Sequence, residues 1–199
     1  TSTGKLVVLN KVHYNPEEYS IFLYDEGLTN EIEFKPTDIA NGIDSKWGYG
    51  TSENSGGFEV FGEYILVSAK EADYNGITNC GAVYRYNDSG VLQDIFYGTV
   101  ADQKIGTNIS VGTVTTTTTL PSFIAPPTSG GGANAKWVVV GAYGDDDNGN
   151  DSGSVYVYDA NDLSATPTKL TAFDGASGGR FGSSVAATDD KLVIGAHYD

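Results

Sequence analysis

Val140-Gly-Ala-Tyr-Gly-Asp-Asp-Asp-Asn-Gly-Asn-Asp-Ser-Gly-Ser-Val-Tyr-Val-Tyr158 joins one apolar run to another through an acidic turn. The run that leads into it, Trp137-Val-Val-Val-Gly-Ala142, is too short for a helix and rich in β-branched residues. It reads as a strand buried on both faces. The run that leaves, Ser154-Val-Tyr-Val-Tyr-Asp159, reads as its partner strand, ended by an aspartate at a turn.

Both runs recur along the chain. Counterparts of the first are Lys5-Leu-Val-Val-Leu-Asn10, Tyr64-Ile-Leu-Val-Ser-Ala69 and Lys191-Leu-Val-Ile-Gly-Ala196. Counterparts of the second are Ser20-Ile-Phe-Leu-Tyr-Asp25 and Ala82-Val-Tyr-Arg-Tyr-Asn87. A third pattern, an apolar residue, then Gly, then a small hydroxyl residue, opens units at Tyr49-Gly-Thr-Ser52, Ile105-Gly-Thr-Asn108 and Phe181-Gly-Ser-Ser184. A weaker fourth strand falls at Glu31–Phe34, Leu92–Phe96 and Thr168–Thr171. The first pattern starts at residues 5, 64, 137 and 191, which gives spacings of 59, 73 and 54. The long interval holds an insertion, Thr115 to Ala135, with five consecutive threonines, three prolines and a glycine run. Such a segment packs no core and reads as a surface loop. Four strands per unit at a period in the fifties is the pattern of propeller blades.

The bulk composition agrees. The chain has 199 residues, enough for one domain with a sizeable core. Its 39% hydrophobic content leans on Val, Ile, Tyr and Phe, and its 26 glycines cluster between the apolar runs. That mixture suits an all-β fold with many tight turns. The formal charge of −15 repels nucleic acid and anionic membrane surfaces. The longest apolar runs fall far short of the roughly 18 residues that span a bilayer. The single cysteine, Cys80, forms no internal disulfide and sits where a serine stands in the next repeat, so it reads as a small buried residue. The sequence contains no methionine and shows no leader at Thr1, so the chain is expected to be a processed product or a piece of a longer one.

Phe181-Gly-Ser-Ser-Val-Ala-Ala followed by Lys191-Leu-Val-Ile-Gly-Ala closely resembles the FG-GAP repeat of integrin α-subunit propellers and their bacterial and algal relatives. The stretch from Val140 to Tyr158 is similar to the core of the family's blade. The resemblance implies a β-propeller of four-stranded antiparallel blades, here a partial ring. The expected division is a partial blade over 1–46, a blade over 47–103, a blade over 104–172 with the inserted loop 115–135, and a partial blade over 173–199. Further polypeptide, either other chains or more blades of the same chain, is expected to pair with the two ends.

The resemblance also implies Ca²⁺ in the acidic turn. Hard cations take six to eight oxygens at about 2.3–2.6 Å, and alternate carboxylates in a tight turn can converge on one point. Asp145, Asp147 and Asp151 are the expected side-chain ligands, with Asn148 or a main-chain carbonyl in support. The glycine falls fifth from the first aspartate, where the integrin spacing has it sixth. An offset of 72 aligns Cys80-Gly-Ala-Val-Tyr84 with Ser152-Gly-Ser-Val-Tyr156 and sets Asp73 on Asp145, Asn75 on Asp147 and Asn79 on Asp151. Asp73 and Asn75 then form a weaker or empty second site. The first loop, Lys11 to Tyr19, offers Glu17 and Glu18 behind a lysine, and no metal is expected there. The bland alternative throughout is a solvated acidic turn.

Nothing in the sequence assembles a catalytic set. His13 and His197 sit in no metal or nucleophile motif, and no phosphate-binding Gly-rich loop precedes a lysine. Asn87-Asp-Ser, Asn108-Ile-Ser and Asn150-Asp-Ser fit the glycosylation acceptor pattern, with Asn87 the best placed, and Thr115 to Thr119 could carry O-linked sugars. The expectation is therefore a non-catalytic, calcium-stabilised extracellular binding or scaffolding module. Its setting would be cell adhesion, an extracellular filament or a virion. The alternatives are a carbohydrate-binding propeller, with glycans as partners, and the accessory propeller of a secreted enzyme.

Overall fold

The structure, a computed structural model, describes residues 6–11, 19–24, 31–34, 57–113, 136–160, 162–188 and 191–198. All regular structure among them is β. Strands β1 (Leu6–Lys11), β2 (Tyr19–Tyr24) and β3 (Glu31–Phe34) form a three-stranded antiparallel sheet. Strands β4 (Phe58–Phe61), β5 (Tyr64–Ala69), β6 (Ala82–Asn87) and β7 (Leu92–Tyr97) form a four-stranded one. Strands β8 (Ile109–Thr113), β9 (Lys136–Ala142), β10 (Ser154–Asp159) and β11 (Thr168–Leu170) form a second. Strands β12 (Phe181–Ala187) and β13 (Leu192–Ala196) pair with each other. Within each sheet, strands adjacent in sequence pair antiparallel.

The sheets stack face to face in chain order, and the two-residue period of a strand explains how. In β5, Leu66 and the half-buried Tyr64 turn toward the following sheet, where Val138, Val140 and Ala142 of β9 meet them. Ile65, Val67 and Ala69 turn the other way, into a cluster that Ile32 of β3 joins. Val139 of β9, with Val155 and Val157 of β10, faces Val185, Leu192 and Ile194 of the β12–β13 pair. Both faces of the middle sheets are thus covered, which is why their strands carry apolar residues at consecutive positions. Four-stranded antiparallel sheets stacked in this way are consistent with part of a β-propeller.

Successive sheets are stitched by a recurring backbone junction. Gly81 bridges Ile105 in parallel, and Gly153 bridges Phe181 in the same way. Around the first bridge, the backbone N–H groups of Asp102, Lys104 and Ile105 donate to the carbonyls of Thr78, Asn79 and Cys80 at 2.9, 3.2 and 3.0 Å. Around the second, Gly178, Arg180 and Phe181 donate to Asn150, Asp151 and Ser152 at 2.8, 3.0 and 2.9 Å. The loop after the second strand of each sheet is therefore the surface on which the entry to the next sheet docks. Tyr49–Ser52, the Lys11–Tyr19 loop interior with His13, and the insertion Thr115–Ala135 lie outside the described residues.

Candidate functional site

The acidic turn between β9 and β10 is held by its own backbone. Gly153 N–H donates to the Asp145 carbonyl at 2.8 Å, and Gly149 N–H donates to that of Asp146 at 3.1 Å. Ser152 Oγ donates to the Asp145 carbonyl at 3.1 Å and accepts from Asn148 N–H at 3.1 Å. Asp151 adopts a left-handed φ of 53° while its N–H donates to Asp146 Oδ1 at 2.7 Å.

Asp145 is the buried member of the turn, and donors crowd its carboxylate. Ser154 Oγ and Tyr156 OH reach Oδ2 at 2.8 Å each, and Gln103 Nε2 reaches it at 3.0 Å. The fourth partner is charged: Lys169 Nζ lies 2.9 Å from Asp145 Oδ2 and 2.7 Å from Asp147 Oδ2. Burial alone would raise the Asp145 pKa. Hydrogen bonds from Lys169, Gln103, Ser154 and Tyr156 outweigh it and hold the carboxyl at about 2. The same network works on Lys169 in reverse: burial opposes its charge, and Asp147 and Asp145 more than restore it, so its pKa rises. Burial and the Asp145 carboxylate push the Tyr156 phenol up, which keeps it a donor.

Of the expected calcium ligands, Asp145 and Asp147 do come together, but around the Lys169 ammonium. Asn148 turns aside, and its Nδ2 donates to the Ala172 carbonyl at 3.2 Å. Asp151 faces Arg180, with 3.9 Å between Oδ2 and the guanidinium. Among the described residues, no three His, Cys, Asp or Glu side chains are placed to hold a metal ion together. A calcium ion needs six to eight oxygens around one point, and here that point already carries a positive nitrogen. The side chains present do not fit a calcium cage.

The second expected site requires a correction in its alignment. Twelve residues separate Ala69 from Ala82, and eleven separate Ala142 from Ser154. The offset of 72 therefore holds only from the C-terminal side of the loop. Gly81 N–H donates to the Ala72 carbonyl as Gly153 N–H does to that of Asp145. Asp73 Oδ1 accepts from Asn79 N–H at 2.7 Å, as Asp146 Oδ1 accepts from Asp151 N–H. Asp73 is thus the counterpart of Asp146, and Ala72 that of Asp145. Asn75, at φ 50°, donates to Tyr97 OH at 3.4 Å. Cys80 does match Ser152: its thiol reaches the Ala72 carbonyl at 3.6 Å, and burial pushes the thiol pKa up.

Residues 133–158 and 166–199 match the family model described as the FG-GAP repeat. The chain carries FG-GAP repeats. No curated protein matches it. The first match contains β9, the acidic turn and β10, and the second contains β11 with Lys169, then β12 and β13. Lys169 thus falls in the second match, although β11 completes the same sheet as β9 and β10. Gln103, Ser154, Tyr156, Lys169 and Arg180 are the working side chains that sequence reasoning missed. Arg180 lies over the rings of Tyr143 and Tyr198 at 5.3 and 5.1 Å, and Lys104 lies over Tyr143 at 5.0 Å. Lys104 and Arg180 hold the same place, just before Ile105-Gly and Phe181-Gly, both at left-handed φ. That repeat was the available signal. His197 is exposed, and its ring centroid lies 4.2 Å from that of Tyr198.

Proposed function

We propose that the chain is a non-catalytic binding and scaffolding segment of an extracellular propeller, serving at a cell surface or as a structural part of a filament or virion. One observation carries the reading. Leu66 and Val139 occupy equivalent positions, each pointing at the following sheet, and they are 0% and 1% exposed. Val193 is their counterpart in β13, and it is 64% exposed. Ser184 and Ala186 on the same face of β12 are exposed as well. A face that two earlier sheets bury against a successor is open in the last, so its natural occupant is another sheet of the same kind. Further polypeptide, from the same chain or another, supplies it. The polar residues of the turns support a structural role, because the hydrogen bonds they make join one sheet to the next. The acidic charge and the acceptor asparagines, Asn150 in an exposed turn and Asn87 at a strand end, favour an extracellular setting.

Sedimentation velocity across a hundredfold concentration range tests the proposal. The 199-residue chain should self-associate, and Val193→Asp should abolish that by placing a charge on the apolar face. A wild-type chain that stays a monodisperse monomer throughout would overturn it.

A further inference from the structure

We infer that the Lys169 ammonium is the resident cation of the Asp145–Asp151 turn, standing where a calcium ion is expected from the sequence. Three observations converge. The ammonium lies within 3 Å of both carboxylates that a cation in this turn would bridge, at 2.9 Å from Asp145 and 2.7 Å from Asp147. Its position is built in: the pairing of β10 with β11 sets Lys169 directly opposite Tyr156, whose ring lies 5.4 Å from Nζ and whose hydroxyl donates to the same Asp145 oxygen. The remaining donors to that oxygen come from fixed strand and junction positions, Ser154 and Gln103.

The third observation is internal to the chain. The preceding sheet has the same geometry with the polar set replaced as a unit. Tyr84 stands where Tyr156 does, and its partner across the ladder is Ile95 in place of Lys169. Ala82 stands in place of Ser154. Ala72 stands in place of Asp145, as the matching hydrogen bonds from Gly81 and Gly153 establish. Ala72, Ala82, Tyr84 and Ile95 all belong to one apolar cluster. Where the aspartate is absent, the lysine and the serine are absent too. Lysine, aspartate and serine therefore form one interchangeable packing unit, apolar in one repeat and ionic in the next, and neither version calls for a metal. Buried charge is tolerated only when paired and hydrogen-bonded, which is what Lys169 supplies.

Thermal melting of the full 199-residue chain tests this, in calcium chloride or in EGTA, with four proteins compared. The wild type should melt at the same midpoint in both. Lys169→Ile, which leaves Asp145 buried without its cation, should melt lower by roughly 4–8 °C in EGTA. Adding Asp145→Ala and Ser154→Ala to Lys169→Ile installs the apolar set of the preceding sheet and should recover most of that loss, a non-additivity expected of side chains in one network. If Lys169→Ile does not fold, recovery of folding by the triple variant carries the same meaning. The inference is overturned if calcium raises the wild-type midpoint by several degrees and Asp145→Asn removes the rise, or if Lys169→Ile melts with the wild type. Neither result bears on whether the Val193 face is covered.

Discussion

Replacing Gly153 with alanine should cost far more than the same change at Gly178, although both glycines have the left-handed backbone. Gly153 has φ +83° and Gly178 has φ +85°. An L-residue in that region costs about 1–2 kcal/mol, and this part is common to both. The surroundings differ. A Cβ on Gly153 would fall onto the Phe181 carbonyl oxygen, 2.5 Å from Phe181 N and 2.8 Å from Arg180 C. These are backbone atoms, so no rotamer change relieves the clash, and the entry to β12 has to retreat. Retreat breaks the bonds from Phe181 N–H to Ser152 and from Arg180 N–H to Asp151, at 2.9 and 3.0 Å. Each is worth about 0.5–1.5 kcal/mol. The total for Gly153→Ala is about 2–5 kcal/mol, a large part of the roughly 5–15 kcal/mol that holds a domain together. A Cβ on Gly178 meets nothing within 4 Å, so only the backbone part applies there. Urea denaturation followed by tyrosine and tryptophan fluorescence reads both variants through the midpoint at constant slope. Gly81→Ala, which meets Ile105 in the same way, should behave like Gly153→Ala. Equal midpoints for Gly153→Ala and Gly178→Ala would refute the idea that close backbone approach at the junction couples the sheets.

Leu66→Ala should destabilise by about 2–5 kcal/mol, because Leu66 is fully buried between two sheets. Val193→Ala should change the isolated chain by less than about 0.5 kcal/mol, and comparable values in the same urea titration would contradict the stacking order. Asp145 makes the fold sensitive to acid. Its folded pKa of about 2 lies below its ordinary value of 3.8. Its contribution is therefore complete above about pH 5 and is lost as the pH falls toward 2. The full amount is about 2 kcal/mol, with about half gone near pH 3. The stability gap between wild type and Asp145→Asn should narrow from pH 7 to pH 3, and a constant gap would show that the carboxylate is not held in its charged form.

The middle strands were legible because burial on both faces leaves a mark that needs no context. Tyr64–Ala69, Ala82–Asn87 and Ser154–Asp159 are strands over those same residues. Edge strands leave a weaker one. β4 alternates Phe58 and Val60, both exposed, with Glu59, and β8 carries Gly112 where the Trp137 indole and the Thr188 carbonyl come close. Neither announces itself as a strand in sequence. The acidic turn was equally legible as a concentration of charge, but its partners were not. Gln103 arrives from the junction of the preceding sheet, 42 residues away along the chain. Alignment of the two loops on one fixed offset failed because a single residue is missing from the second, and only the hydrogen bonds of Gly81 and Gly153 restore the equivalence.

Lys169 shows most directly why a run of carboxylates does not specify its counter-ion. Four carboxylates within seven residues repel one another whatever neutralises them, and local sequence is blind to the difference between a bound ion and a side chain from another strand. The discriminating information sits in the register of β11, a strand of three residues whose middle member is the lysine. Shifting that register by one residue would turn Lys169 to the opposite face and bring Thr168 or Leu170 beside Asp145, leaving a buried charge with hydroxyl and amide donors alone. The Tyr156–Lys169 pairing thus does for this turn what ligand spacing does for a metal site: it fixes where positive charge arrives. The preceding sheet, with Ile95 at the same place in the ladder and Ala72 at the turn, keeps the matching glycine hydrogen bond and places no charge at the position of Asp145. The register is the same in both sheets, so the residue at this ladder place and the residue at the turn, Lys169 with Asp145 or Ile95 with Ala72, together decide whether that position is ionic or apolar.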